Sequence, residues 1–253
     1  MTLQKKHDHV FDPAYLVTNE DIRSIVAATG RVRDVLTVTA SGDNALFYAA
    51  AGATHVDTYD FTMNARFIQN IKTIAIKNIP HDKYHEFLNG IVKIRRNDVE
   101  SIPSDMRAEM GKYDLNMMQY FGLRRNRVSD KDTANLPTFA EYEQMKSCVT
   151  GTFKFIYSDL TELHKKLNRQ YDVINISNIF DHGYISDPME QMRVLLNLSP
   201  FLRIGGSIVY NPQSNDGYEF KNVRTQNITT ELIEIRDIKT RAARNIVLFR
   251  RTR

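Results

Sequence analysis

Two short apolar runs, VLTVT at 35–39 and VDTY at 56–59, flank an alanine-rich segment, NALFYAAA at 44–51, that Gly52 closes. Each run is short and ends at a polar turn. Alanine is the strongest helix former, and glycine takes the left-handed backbone that ends a helix. The order is therefore strand, helix, strand. After Asp60 the stretch 64–78 (NARFIQNIKTIAIKN) sets Phe67, Ile68, Ile71, Ile74 and Ala75 on one helical face, and Pro80 ends it. Strands alternating with helices in this way imply a parallel sheet with right-handed crossovers.

The same grammar returns beyond residue 150. Residues 153–157 (FKFIY) read as a strand, 160–167 as a helix, 171–177 (YDVINIS) as a strand, 188–198 as a helix and 204–210 (IGGSIVY) as a strand. At the end, 230–238 (TELIEIRDI) and 245–250 (NIVLFR) are strand-like runs joined by a short polar link, which suits a closing antiparallel pair. No internal repeat breaks this pattern. Between 80 and 150 it loosens, with a helical stretch only at 139–147. The expected organisation is one Rossmann-like domain: an N-terminal cap (1–33), a core (34–79 and 151–253) and a helical insertion or lid (80–150).

Composition sets the broad class. The 253 residues are 42% hydrophobic and 25% charged, as in an ordinary soluble globular protein. No apolar run approaches the roughly 18 residues that a membrane span needs. The opening MTLQKKHDH lacks the apolar core of a secretory signal, so a cytoplasmic location is expected. One cysteine, Cys148, excludes an internal disulfide framework and reads as a small residue packed in a helix. The net charge is +4, with basic clumps at 93–96, 124–127 and 250–253. These are solvated surface or a site for an anionic partner. The chain is less basic than a typical nucleic-acid reader, and no stable nucleic-acid complex is expected. His7 with His9, and His81 with His85, have no evident third ligand, so no metal site is expected.

In an open α/β sheet, ligands bind beyond the carboxyl ends of the strands, where strand order reverses. After the first strand comes Ala40-Ser41-Gly42-Asp43-Asn44. Its small residues form either a structural turn or a loop that lets backbone approach a ligand, with the next helix offering free N–H groups. It lacks the three-glycine dinucleotide fingerprint, which argues against a pyrophosphate there. After the second strand come Asp60 and Phe61, the acid standing 18 residues beyond Gly42. A carboxylate at that place accepts from a ribose diol or caps the following helix, and loop and acid together point to a nucleoside. After the third strand, Ser158, Asp159 and Leu160 offer an acid for an adenine amino group or for a helix cap. After the fourth, Ser177 and Asn178 lead to Asp181, His182 and Tyr184 at the rim where an acceptor would sit. Asp181 or His182 is either a base for the acceptor's proton or a loop residue bonded to backbone.

These residues carry a resemblance. The segment from Val35 to Ile79 is similar to the first half of the S-adenosylmethionine:diacylglycerol 3-amino-3-carboxypropyltransferases, the betaine-lipid synthase family. Ser41-Gly42-Asp43-Asn44-Ala45 fits that family's turn, and Asp60 and Lys72 keep its separation. YDVINISNIFD resembles its second-half pattern through Ser177, Asn178 and Asp181, and Asp12-Pro13 resembles its short upstream motif. The chain departs from the family at Thr62-Met63 and Ala65, and residues 80–150 do not match. The resemblance implies a class I S-adenosylmethionine-dependent methyltransferase fold, a mostly parallel seven-stranded sheet with a C-terminal antiparallel hairpin. It also implies S-adenosylmethionine as cofactor and transfer of its 3-amino-3-carboxypropyl group with release of methylthioadenosine. The acceptor would be a small molecule, a lipid, or a phosphate-bearing, nucleotide-like or peptide group facing Arg124, Arg125 and Arg127. A conventional methyltransferase, or a binding protein that keeps the fold without turnover, would use the same motifs.

Overall fold

All five residues of β1 (Asp34–Val38) are buried, because this strand lies inside the sheet with covered faces on both sides. The protein is seen as a computed structural model that describes residues 17–18, 20–91, 133–151, 153–182, 185–212, 225, 227–236 and 243–253. On one side β1 pairs in parallel with β2 (His55–Asp60), which pairs in parallel with β3 (Lys154–Tyr157). On the other it pairs in parallel with β4 (Tyr171–Ser177), followed by β5 (Leu202–Tyr210). β6 (Ile228–Arg236) and β7 (Ala243–Arg251) form an antiparallel pair, and β7 also runs antiparallel to β5. The seven-stranded order is β3-β2-β1-β4-β5-β7-β6, the mostly parallel Rossmann-like sheet with a closing hairpin that the sequence implies.

Strand side chains alternate between two cores, as the twofold period of a strand requires. Val35, Val56, Val173, Val209 and Leu248 meet a layer of α1 (Ile22–Thr29), α2 (Asp43–Ala50) and α3 (Met63–Asn78), together with α4 (His81–Ile91) and α5 (Phe139–Cys148). Leu36, Val38, Ile174, Ile176, Ile208 and Phe249 face the other way, onto α6 (Pro188–Leu198) and a 3-10 turn, Leu163–Lys166.

That 3-10 turn stands where 160–167 reads as a helix. The reason is local: Asp159 Oδ1 accepts from Thr161 N at 2.8 Å and from Thr161 Oγ1 at 2.6 Å. The backbone bonds that follow run three residues apart, Glu162 N to Asp159 O at 3.2 Å and Leu163 N to Leu160 O at 3.4 Å, so the segment closes in 3-10 turns. The described ends of the 80–150 segment are packed. Tyr142 of α5 is fully buried, and its hydroxyl donates to Ile79 O at 2.7 Å. Thr138 and Glu141 form a reciprocal capping box at the start of α5. Residues 92–132, with the basic clumps at 93–96 and 124–127, lie outside the described residues, as do His7, His9, Asp12 and Pro13. Among the described residues no helix is long and apolar enough to cross a membrane.

Candidate functional site

Strand order reverses between β1 and β4, so the loops leaving their carboxyl ends open a crevice there. Among the described residues two non-glycine residues have left-handed backbone: Ala40 (φ 44°) and Ser177 (φ 56°). They sit at the ends of those two strands. A side chain in this region costs about 1–2 kcal/mol, and such strain gathers where a fold positions groups for a ligand.

The loop after β1 is held from three sides. Thr39 N donates to Tyr59 O at 2.8 Å, and Ala40 N donates to Asp60 Oδ2 at 3.0 Å. Gly42 (φ 81°) caps α2 so close to α3 that a Cβ would lie 2.7 Å from Gln69 Cα. Glycine is thus demanded here by helix packing as well as by backbone shape. Ser41 Oγ donates to Asp43 Oδ2 at 2.8 Å. The Asp43 side chain points inward, accepting from Lys72 Nζ at 2.7 Å and from Thr18 N at 2.8 Å. Lys72 is fully buried, and burial pulls its ammonium below the usual lysine range while Asp43 opposes that pull. No side chain caps α2, and both amide atoms of Asn44, on its first turn, are buried without a partner.

Asp60 ends β2. Besides Ala40 N its carboxylate accepts from Thr62 N at 3.0 Å, and it is 6% exposed. Burial raises its carboxyl to about 6, against the backbone amides that stabilise the charged form. Phe61 beside it is half-buried. Ser158 N donates to Asp60 O at 2.9 Å, which joins the ends of β2 and β3. Ser158 Oγ donates to Asp159 O, and Leu160 is buried in the core on the α6 side of the sheet. The Tyr59 hydroxyl is buried without a hydrogen-bond partner. Burial pushes it well above 10, and the carboxylates of Asp60, Asp159 and Glu20 add to the shift.

At the end of β4 the structure adds a residue that the sequence did not flag. Glu20, just before α1, accepts from Ser177 Oγ at 2.5 Å and from Asn211 Nδ2 at 3.1 Å. It is 5% exposed, and burial raises its carboxyl; Ser177 and Asn211 oppose the shift, while nearby Asp181 adds to it. Ser177 Oγ also lies 3.3 Å from Asn178 Oδ1, and Asn211 N donates to Ser177 O at 3.0 Å. Asp181 is exposed in a 3-10 turn, Ile179–His182, and accepts from Tyr210 Oη at 2.5 Å. Tyr184 and the side chain of His182 lie outside the described residues.

The structure therefore brings the loop 40–44, Asp60, Ser158, Asp159, Ser177 and Asn178 to one edge of the sheet. The histidines flagged at 81 and 85 line a different cavity of about 640 Å³, shared with Arg23 and containing none of the strand-end residues. His81 Nε2 lies 3.0 Å from Pro137 O, and the ring packs edgewise on Tyr142. Among the described residues no three His, Cys, Asp or Glu side chains converge as a metal site would require.

No family model matches the chain, and no curated protein does. Among solved structures it is similar to the N-methyltransferase NodS from Bradyrhizobium japonicum in complex with S-adenosyl-L-homocysteine: TM-score 0.47, 10% identity, 99% of this chain and 87% of that one covered. It is also similar to the rRNA methyltransferase AviRa from Streptomyces viridochromogenes, with TM-score 0.47, 11% identity, and 99% and 94% covered. A third is SMU.1697c, a putative methyltransferase from Streptococcus mutans in complex with SAH, with TM-score 0.39, 10% identity, and 99% and 98% covered. None of the three is an aminocarboxypropyltransferase, so the family named by the sequence resemblance gains no support from them. The fold assignment stands on the strand order itself.

Proposed function

We propose that this chain is an S-adenosylmethionine-dependent transferase whose cofactor lies at the carboxyl edge between β1 and β4. The observation that carries this reading is the bond between Ala40 N and Asp60 Oδ2, which fixes an acid at the end of β2 against the left-handed loop after β1. A carboxylate held there by backbone amides keeps lone pairs for a ribose diol. Asp159, whose Oδ1 is taken by Thr161, would accept from an adenine amino group through its other oxygen, with Phe61 and Leu160 beside the base. Loop 40–44 and the uncapped start of α2 favour a carboxylate. Asn44, Tyr59 and Asn211 each bury a polar atom without a partner, as a pocket built for a polar ligand would.

The cofactor supplies an electrophilic carbon on a sulfonium, and the protein's task is to align one carbon with the nucleophile. Methyl transfer is the primary reading, because the methyl is the least hindered of the three carbons on sulfur. Asp181, His182 and Tyr184, which follow β4 in the sequence, would serve the acceptor, a small molecule, modified peptide or nucleotide. Aminocarboxypropyl transfer is the second reading. It rests on the sequence resemblance, in which Asp43 and Lys72, joined at 2.7 Å, occupy two of the matched positions.

The test is to incubate the protein with S-adenosylmethionine and an acceptor panel and identify the nucleoside released. S-adenosylhomocysteine supports methyl transfer, and methylthioadenosine supports the second reading. Neither product, with no calorimetric affinity for the cofactor, overturns both.

A further inference from the structure

We propose that Glu20, with Asn211 beside it, receives the primary ammonium at the amino-acid end of the bound cofactor. The inference rests on the reading of the site given above. Its ground is a difference between buried carboxylates. Asp43 is matched by Lys72 at 2.7 Å, whereas among the described residues no lysine, arginine or histidine reaches Glu20. Among the described residues its carboxylate is held by a hydroxyl, Ser177 Oγ, and an amide, Asn211 Nδ2, both neutral. A buried carboxylate without a cation is expensive: it either holds a proton or meets a cation, and an arriving ammonium supplies the second.

The surroundings match that cation. Nδ2 of Asn211 is committed to Glu20, which leaves Oδ1 on the same amide buried and without a donor. An ammonium carries three donors and no acceptor, so it serves Glu20 and Asn211 Oδ1 together. Ser177, which holds the other oxygen of Glu20, has the strained backbone at the end of β4, on the opposite flank of the crevice from loop 40–44. Asp60, Asp159 and Glu20 all act on the buried Tyr59 hydroxyl, so this edge of the sheet is acidic. The ligand's carboxylate would then meet the start of α2, and its ammonium would meet Glu20.

The experiment titrates three ligands into wild type and Glu20→Gln by calorimetry: S-adenosylhomocysteine, its deaminated analogue S-adenosyl-4-thiobutyrate, and methylthioadenosine, which lacks the amino-acid end. Wild type is expected to bind the deaminated analogue at least tenfold more weakly than S-adenosylhomocysteine. Glu20→Gln is expected to bind S-adenosylhomocysteine at least tenfold more weakly and methylthioadenosine as well as wild type does. Equal loss for both nucleosides, or no loss for either, overturns the proposal. If the variant does not fold, wild type decides alone: equal affinity for the aminated and deaminated ligands overturns it. Wild type binding methylthioadenosine while ignoring the amino group refutes the role of Glu20 and leaves the nucleoside site standing. Wild type binding none of the three refutes the site itself.

Discussion

Asp43 and Glu20 are both almost wholly buried, on opposite flanks of the same crevice, yet they are built for different ends. Asp43 accepts from Lys72, Thr18 N and Ser41, and its charge is neutralised inside the protein. Among the described residues Glu20 accepts from neutral donors alone. The first arrangement is closed wiring that locks loop 40–44 onto α3. The second leaves a charge for which the described residues hold no opposite. Burial alone therefore does not separate structural from ligand-binding acids; the identity of the partner does.

The sharpest way to break this comparison is Lys72→Met. Removing one member of a buried ion pair strands the other, so we expect a loss of about 3–5 kcal/mol, read from urea denaturation. A loss below about 1 kcal/mol would mean that Asp43 is not relying on Lys72. The effect of Glu20→Gln on the ligand-free protein should be smaller and opposite in sign. Burial raises the Glu20 carboxyl in the folded state, so the folded form binds more protons than the unfolded one, and wild-type stability falls as pH rises through that window. The variant should match wild type near pH 4 and be the more stable of the two at pH 7. A variant less stable than wild type at pH 7 would place Glu20 with Asp43 among the structural acids.

Much of the fold was legible because hydrophobic periodicity is local. The runs at 35–39, 56–59 and 171–177 became strands, 64–78 became α3, and the terminal pair became the antiparallel β6 and β7. Segment 160–167 reads as an α-helix because its apolar spacing suits one, and periodicity does not register that its turns close by three-residue bonds such as Leu163 N to Leu160 O. In the site, strand-end positions such as Asp60 and Ser177 follow from the sheet order. The inward direction of Asp43 does not, since it depends on a lysine 29 positions away. Glu20 was invisible for the same reason: its partners Ser177 and Asn211 lie 157 and 191 positions along the chain. Only folding brings them together.

The account stands or falls on a nucleoside held by the acid at the end of β2. Calorimetric titration of S-adenosylhomocysteine into wild type and Asp60→Ala tests it most directly. We expect one-to-one binding by wild type and a weakening of about 1–3 kcal/mol in the variant, whose loss leaves ribose hydroxyls without their acceptor. Equal affinity in the two proteins, or no binding by wild type, would contradict the account.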